Sequence, residues 1–160
     1  MLSNSMTTNQ TQTWAEFAPL LMICGRGWRR ALNAILTEHN LSDASAAPLI
    51  ALLRHGDRIP QGVLAERVGV EGPTLVRVLD SLENDGLIRR VPDEADRRIK
   101  LVQLTGGGTA VAERAESCAA ELRAQILGDL DPEQVGAALA VLRAISAKTA
   151  ALSGIQENDE

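Results

Sequence analysis

The sequence predicts a mainly α-helical fold in which two short helices are followed by a β-hairpin, with longer helices on either side. Apolar residues recur every three or four positions in residues 14–39 and again after residue 106, as in amphipathic helices. Residues 61–85 contain two shorter helical patterns joined at a glycine. Residues 87–104 contain two short apolar stretches around a charged turn, which predicts a hairpin.

The N-terminal part is predicted to be a tail and two helices. Residues 1–13 are rich in Thr, Asn, Gln and Ser, which is typical of a disordered tail. A long amphipathic helix is expected over residues 14–39. Ser42 is a plausible N-cap for the next helix, which ends near Gly56. Pro48 lies inside this second helix, so we expect a kink or a late start there.

The two short helices are predicted at residues 61–68 and 71–85. Gly69 lies between them and supplies a turn conformation that other residues resist. Gly86 ends the second helix as a C-cap. This order is typical of a helix-turn-helix, whose second helix directs its N-terminal end into the major groove of duplex DNA.

The hairpin that follows is predicted to form a wing, with strands at 87–91 and 99–104. Its turn carries basic residues, and an arginine on a protruding loop can enter a narrow minor groove, where the potential is most negative. Asp96 is expected to pair with a neighbouring arginine and hold the loop in shape. Residues 41–105 are therefore predicted to be a winged helix-turn-helix.

The candidate DNA contacts come from the second helix and the wing. Pro73 suits the first turn of a helix, where its missing N–H does no harm. Thr74 and Arg77 lie one turn apart on one exposed face. Arg77 can donate two hydrogen bonds to a guanine edge, and Thr74 can meet a thymine methyl group or a phosphate. The predicted DNA-binding residues are Gly72, Pro73, Thr74, Arg77, Arg97, Arg98 and Lys100.

The helices at the two ends are predicted to form a dimerisation region, residues 14–40 and 106–155. Thr105 would cap the helix after the wing, but three glycines at 106–108 make a weak start, so this boundary stays open. Asp131-Pro132-Glu133 opens the last helix with a cap, a proline and an acid. The first and last helices have apolar faces without an obvious partner in one chain. A homodimer is therefore expected, and a monomer with a helical cap is the alternative.

The net charge of −5 is unevenly distributed. Residues 58–104 contain eight basic and eight acidic side chains, so the acidity lies outside the predicted reading unit. An acidic body predicts DNA affinity that depends strongly on salt. No apolar run approaches the ~18 residues of a membrane span, and the N-terminus lacks the order of a signal peptide. A cytoplasmic protein without membrane association is expected.

Other function classes are disfavoured. The sequence offers no catalytic triad or metal-ligand cluster, and its only histidines are His39 and His55. The glycines at 106–108 lack the Lys and Ser/Thr pattern of a phosphate-binding loop. We therefore expect no enzyme, cofactor or metal. An interaction module that has lost DNA binding is disfavoured because the basic side chains of the reading unit are retained.

Residues 59–105 resemble the winged helix-turn-helix of the multiple-antibiotic-resistance-regulator (MarR) family. The run Asp96-Arg97-Arg98 followed by residues 101–105 is similar to that family's wing motif. Trp28-Arg29-Arg30, residues 73–77 and residues 85–88 most resemble the SlyA branch. The resemblance implies an obligate homodimer on a pseudo-palindromic operator, with recognition helices in major grooves ~34 Å apart. It also implies a repressor that a small aromatic acid releases from DNA.

The resemblance further implies where such a ligand would bind, between the dimer helices and the DNA-binding lobe. Trp28 could stack on an aromatic carboxylate while Arg26 or Arg29 pairs with it. The alternative is that Trp28 belongs to the core and the arginines are solvated. Related chains often carry a bulky aromatic residue where this chain has Ala46, which would reshape the pocket. The candidate pocket residues are Arg26, Trp28, Arg29, Ser42 and Ala46.

The two cysteines, Cys24 and Cys118, lack a metal-type spacing. Both are expected to be plain buried thiols, as is usual in a reducing compartment. A redox-responsive regulator acting through Cys24 is the alternative. Peroxide-sensing relatives place a reactive cysteine early in the first helix between tyrosine partners, whereas this chain contains no tyrosine.

Overall fold

The structure, a computed structural model, describes residues 8–56 and 58–152. The sheet is antiparallel with strand order β1-β3-β2. The predicted helix-turn-helix and wing are confirmed, and a two-residue strand that the sequence pattern missed completes the sheet. The elements are α1 (Thr8–Glu38), α2 (Asp43–His55), β1 (Ile59–Pro60), α3 (Gln61–Val68), α4 (Gly72–Asn84), β2 (Ile88–Pro92), β3 (Lys100–Leu104), α5 (Gly106–Leu127) and α6 (Pro132–Leu152).

The helix-turn-helix is closed by the glycine that the sequence singled out. Gly69 adopts the left-handed conformation at φ 73°, ψ 39°. Its N–H donates to the carbonyls of Ala65 and Glu66, at 2.9 and 3.1 Å, so it ends α3 and turns the chain towards α4. One core cluster then joins α2, α3, α4, the sheet and the first turns of α5. Its buried members are Leu49, Leu52, Ile59, Leu64, Ala65, Leu75, Leu79, Leu82, Ile88, Val102 and Ala112.

The three glycines after the wing do begin a helix, because a threonine cap and a close backbone contact fix them. The Thr105 hydroxyl donates to the Gly86 carbonyl at 2.7 Å and accepts from the Gly108 N–H at 3.0 Å. Gly108 is buried, and a Cβ at this position would lie 2.8 Å from the carbonyl carbon of Leu87. A larger residue therefore could not pack here without moving the start of β2.

Helix α2 starts where the predicted cap places it. The N–H of Ser45 donates to the Ser42 hydroxyl at 3.3 Å, and the helix begins at Asp43. Of the kink and the late start expected at Pro48, the late start is wrong, because the helix continues through this residue, which is buried, whereas the kink stays a prediction. Helix α2 also contributes to a second cluster, with α1 and α5. Its buried members are Leu36, Ala46, Ile50, Ala115, Cys118 and Ala119.

Helix α1 differs from the prediction at its N-terminal half. It begins at Thr8, so the predicted tail is wrong for residues 8–13, and residues 1–7 lie outside the described part. Polar residues can occupy a helix end without an apolar pattern to mark it, which explains the error. The expectation that both cysteines are buried is also wrong. Cys118 is buried, but Cys24 is exposed, as are all residues of α1 from 11 to 27.

The chain divides into two compact units, one up to Leu122 and one from Arg123 onward. In the second unit, the Asp131 carboxylate accepts from the Glu133 N–H at 2.9 Å and caps α6, as predicted. None of the described residues of α6 is buried. This helix is long and apolar enough to cross a membrane by length and composition, which corrects the expectation that no segment is. A core or interface helix passes the same test.

Candidate nucleic-acid interface

The N-terminal end of α4 is presented outward. The carbonyl of Glu71 accepts from the N–H groups of Thr74 and Leu75, at 3.0 and 3.1 Å, and so starts the helix. The opposite face of the helix is buried and consists of Leu75, Leu79 and Leu82. The four predicted contact residues of this helix, Gly72, Pro73, Thr74 and Arg77, are all exposed.

The wing turn is shaped by an aspartate that precedes its basic residues. The Asp93 carboxylate accepts from the N–H groups of Ala95 and Asp96, at 2.6 and 3.1 Å. Backbone hydrogen bonds from Asp93 to Ile99 (3.0 Å) and from Ile99 to Asp96 (2.9 Å) close the loop. This local network orders the turn without using a basic side chain.

Asp96 pairs with Arg98 rather than with Arg97. Its carboxylate accepts from the Arg98 backbone N–H (3.0 Å), from Nε (3.0 Å) and from Nη2 (2.9 Å). The side-chain bonds, followed by the backbone bond, lower the pKa of Asp96 below its usual 3.8. The predicted role of Asp96 thus has a defined geometry, and Arg98 is held against the loop although its side chain is exposed.

Three basic side chains of the predicted set remain unengaged. Within the described residues, no hydrogen bond or ion pair involves the side chains of Arg77, Arg97 or Lys100. All three are exposed. They belong to the N-terminal half of α4, to the wing tip and to the start of β3, which are the elements of this motif that meet duplex DNA.

The sequence reasoning missed Arg90, which joins β2 to α4. Its Nη1 lies 2.7 Å from Asp80 Oδ1 and 2.9 Å from Glu83 Oε2. Its Nη2 donates to the Val76 carbonyl at 3.3 Å, and its backbone N–H donates to Glu83 Oε1 at 2.9 Å. Two carboxylates one helical turn apart were the available signal, but nothing in the sequence places them beside β2.

A second unpredicted ion pair joins α2 to α5. Arg54 Nε and Nη2 donate to the two carboxylate oxygens of Glu116, at 2.9 and 2.8 Å. This two-bonded arrangement is the strongest geometry for an arginine and a carboxylate. Arg54 lies one helical turn after Ile50 on α2, and Glu116 follows Ala115 on α5, so the ion pair joins the two helices beside residues of the second core cluster.

The five candidate ligand residues occupy different environments. Arg26 and Arg29 are exposed, and Trp28 between them is half-buried. Ser42 is exposed, but its hydroxyl caps α2. Ala46 is only 1% exposed and belongs to the second core cluster. Ser42 and Ala46 thus have structural roles, whereas Trp28 offers a partly exposed indole on a helix that also carries the exposed guanidinium groups of Arg26 and Arg29.

The cysteines also differ in environment. Burial raises the pKa of the Cys118 thiol, and the charge of Glu121 adds to this effect. A raised pKa disfavours the reactive thiolate, so Cys118 is suited to packing. Cys24 is exposed on α1 and is a free thiol.

Comparison with known proteins identifies the fold. The family model described as "MarR family" matches residues 39–99. The crystal structure of transcriptional regulator PA3341 has 39% identity and a TM-score of 0.76, covering 83% of this chain and 97% of that one. A MarR-family regulator from Silicibacter pomeroyi has 34% identity and a TM-score of 0.68, covering 82% and 89%. CouR from Rhodococcus jostii RHA1, bound to p-coumaroyl-CoA, shares the fold at 24% identity and a TM-score of 0.73, covering 79% and 89%.

Proposed function

Because the chain belongs to the MarR family of transcriptional regulators, we propose that it binds a pseudo-palindromic operator in duplex DNA as a homodimer and represses transcription there. The observation that carries the proposal is the exposed N-terminal end of α4 together with the unengaged arginines Arg77 and Arg97. Such a regulator works in the cytoplasm, beside the chromosome. A SlyA-like branch within the family is part of the same proposal.

Each element has a distinct role in this proposal. The N-terminal end of α4 enters the major groove, where Arg77 reads a guanine edge and Thr74 a thymine methyl group or a phosphate. The backbone at Gly72 and Pro73 approaches the phosphates without a bulky side chain. Arg97, at the wing tip, enters the adjacent minor groove.

The remaining basic groups position the protein on the backbone. Arg98 stays paired with Asp96 and presents its outer N–H groups to phosphate, and Lys100 adds a point charge. Three acids of the lobe, Asp80, Glu83 and Asp96, are each paired with an arginine of the lobe itself. The pairing reduces the repulsion that an acidic protein would otherwise exert on DNA.

The DNA-binding proposal is tested with a duplex that the purified protein selects from a random library, against a scrambled duplex of equal length. Arg97→Ala is expected to weaken binding of the selected duplex by an order of magnitude or more, because it removes a minor-groove contact. Arg114→Ala, which removes the same charge from the exposed face of α5, is the matched control. If the wild-type protein prefers no duplex even at low salt, the proposal fails.

The homodimer is supported by apolar helix faces that the described chain leaves exposed. On α1 these include Trp14, Phe17 and Leu20, and on α6 they include Leu139 and Leu142. Exposed apolar faces of this extent mark interaction surfaces on soluble proteins. A two-fold dimer also matches a two-fold operator.

Sedimentation tests the dimer. The wild-type protein is expected to sediment as a dimer at micromolar concentration, and Leu142→Glu is expected to shift it towards the monomer and to lower affinity for the selected duplex. A wild-type protein that sediments as a monomer, yet binds the selected duplex tightly, would contradict the dimer.

We also propose that a small aromatic acid releases the protein from DNA. CouR, with the same fold, holds p-coumaroyl-CoA, an aromatic acyl thioester. On this chain, Trp28 supplies a stacking surface, and the guanidinium group of Arg26 or Arg29 supplies an anion partner. Salicylate and p-coumarate are the probes. Release of the selected duplex by either one, weakened in Arg29→Ala, supports the site, and no release at millimolar concentration removes it.

The exposed thiol of Cys24 favours one second candidate, a redox-responsive regulator. Oxidation of an accessible thiol adds a polar group to an apolar helix face, which would disturb a dimer. Peroxide is then expected to lower the DNA affinity of the wild-type protein but not that of Cys24→Ser. Equal affinity before and after treatment of the wild-type protein eliminates this candidate.

A further inference from the structure

We infer that Arg90 is a positioning residue that fixes the recognition helix α4 relative to the wing and thereby sets operator specificity. This inference rests on the proposed DNA-binding function. It assigns to Arg90 no contact with DNA: the residue acts through α4, and its side chain is mostly buried, at 19% exposed.

The geometry ties α4 to β2 at three points over two helical turns. One guanidinium nitrogen reaches both Asp80 (2.7 Å) and Glu83 (2.9 Å), and another reaches the carbonyl of Val76 (3.3 Å). Glu83 also accepts from the backbone N–H of Arg90 at 2.9 Å. The strand and the helix are therefore joined through both side chain and backbone, and a lysine with its single charged nitrogen could not reproduce these contacts.

The energetics favour a positioning role over a stabilising one. A partly buried ion cluster contributes little net stability, because desolvation of its charges offsets their attraction. The Nε of Arg90 is also buried and has no hydrogen-bond partner among the described residues, which adds a cost. Arg90 therefore adds little to the stability of the fold. Because it lies between α4 and β2, which leads into the wing, it can instead fix the position of one DNA-facing element relative to the other.

The connection leads directly to the reading residues. The carbonyl that Arg90 holds belongs to Val76, the residue before Arg77, and β2 continues from Arg90 into the wing. A hydrogen bond to a base edge is lost with a shift of roughly 1 Å, whereas a charge contact to phosphate weakens only gradually with distance. Loosening α4 should therefore reduce discrimination between sequences much more than it reduces general affinity for DNA.

The test compares Arg90→Lys with Arg89→Lys, which makes the same change on the neighbouring residue, whose Nε donates to Gln103 at 2.9 Å. The dissociation constants for the selected and the scrambled duplex are measured across a salt series. For Arg90→Lys, the ratio of the two constants is expected to fall by about tenfold, while scrambled-duplex affinity and the salt slope stay the same. For Arg89→Lys, the ratio is expected to change by less than about threefold.

Glu83→Gln separates positioning from a direct contact, and it also serves if Arg90→Lys fails to fold. If Arg90 acts through α4, Glu83→Gln lowers the same ratio, although it removes a negative charge and so strengthens binding to the scrambled duplex. If Arg90 instead contacts phosphate, releasing it strengthens binding to both duplexes equally, and the inference is overturned. An unchanged ratio in Arg90→Lys also overturns it, whereas a wild-type protein without any preference overturns the proposed function itself.

Discussion

Replacing Gly108 by alanine should destabilise this protein, although alanine within a helix is ordinarily more stable than glycine. Alanine in a helix interior is favoured over glycine by about 1 kcal/mol. At Gly108, however, the added methyl group would lie 2.8 Å from the Leu87 carbonyl carbon and 3.3 Å from its Cα, and it would overlap the carbonyl oxygen. These are backbone atoms, so a side-chain rotation cannot relieve the overlap.

The size of the destabilisation depends on the backbone of Leu87, which must move to make room for the methyl group. Overpacking of a tight site costs ~1–3 kcal/mol. Moving the Leu87 carbonyl also weakens the hydrogen bond that it accepts from the Thr105 N–H, at 3.0 Å. Loss of such a bond costs about 1 kcal/mol. After the gain in helix propensity is subtracted, Gly108→Ala should lower the free energy of unfolding by about 2 kcal/mol.

Gly106→Ala is the matched control, because it makes the same change in the same helical turn, where a Cβ would meet nothing within 4 Å. It should leave the stability unchanged or raise it by up to about 1 kcal/mol. Urea unfolding followed by circular dichroism at one fixed protein concentration measures both variants, since a dimer's stability depends on concentration. Equal unfolding midpoints for the two variants would refute the close-contact reasoning.

Three further predictions concern the turn, the cap and the wing. Gly69→Ala should destabilise by about 1–2 kcal/mol, because φ is 73° there, whereas Gly62→Ala on α3 should not; urea midpoints compare the two. Thr105→Val should lower the free energy of unfolding by about 1 kcal/mol, as loss of a helix cap does, and an unchanged midpoint would argue against the cap. In Arg98→Ala, the pKa of Asp96 should return towards 3.8, as followed by carboxyl carbon chemical shifts. Because the folded-state pKa is lowered, the wing contact stabilises fully above the usual pKa of 3.8 and is lost as pH falls through the lowered pKa.

Local patterns were sufficient to predict most of the secondary structure. The turn at Gly69 and the cap at Ser42 depend on a few neighbouring residues, and the sequence shows those residues directly. The start of α5 was open, because it depends on a contact between Gly108 and Leu87 that lies outside the helix. The predicted start of α1 was wrong for a related reason, since polar residues carry little information about where a helix begins.

The burial of side chains on α1 and α6 could not be predicted from periodicity. A repeating apolar face shows that a helix has one side to cover, but not whether its own chain covers it. Leu36 is buried against α2 and α5, whereas Cys24, earlier on the same helix, is exposed in the described chain. The wrong expectation for Cys24 and the proposal of a dimer thus have one origin, which is that the described chain does not cover this part of α1.

The net charge of residues 58–104 says little about whether this lobe attracts DNA, because a charge in salt solution acts only over a short distance. The equal numbers of acidic and basic residues in 58–104 suggest a surface without attraction for DNA. In the structure, the acids of α4 are paired with Arg90, and Asp96 is paired with Arg98, while Arg77 and Arg97 remain unengaged among the described residues. Screening confines such charges to a range of about 10 Å at 0.1 M salt, so a phosphate near the wing tip interacts mainly with nearby arginines and little with distant acids. A lobe with no net charge can therefore bind DNA when the acids nearest its basic residues are held in ion pairs, as Asp80, Glu83 and Asp96 are, and exposed arginines remain unengaged.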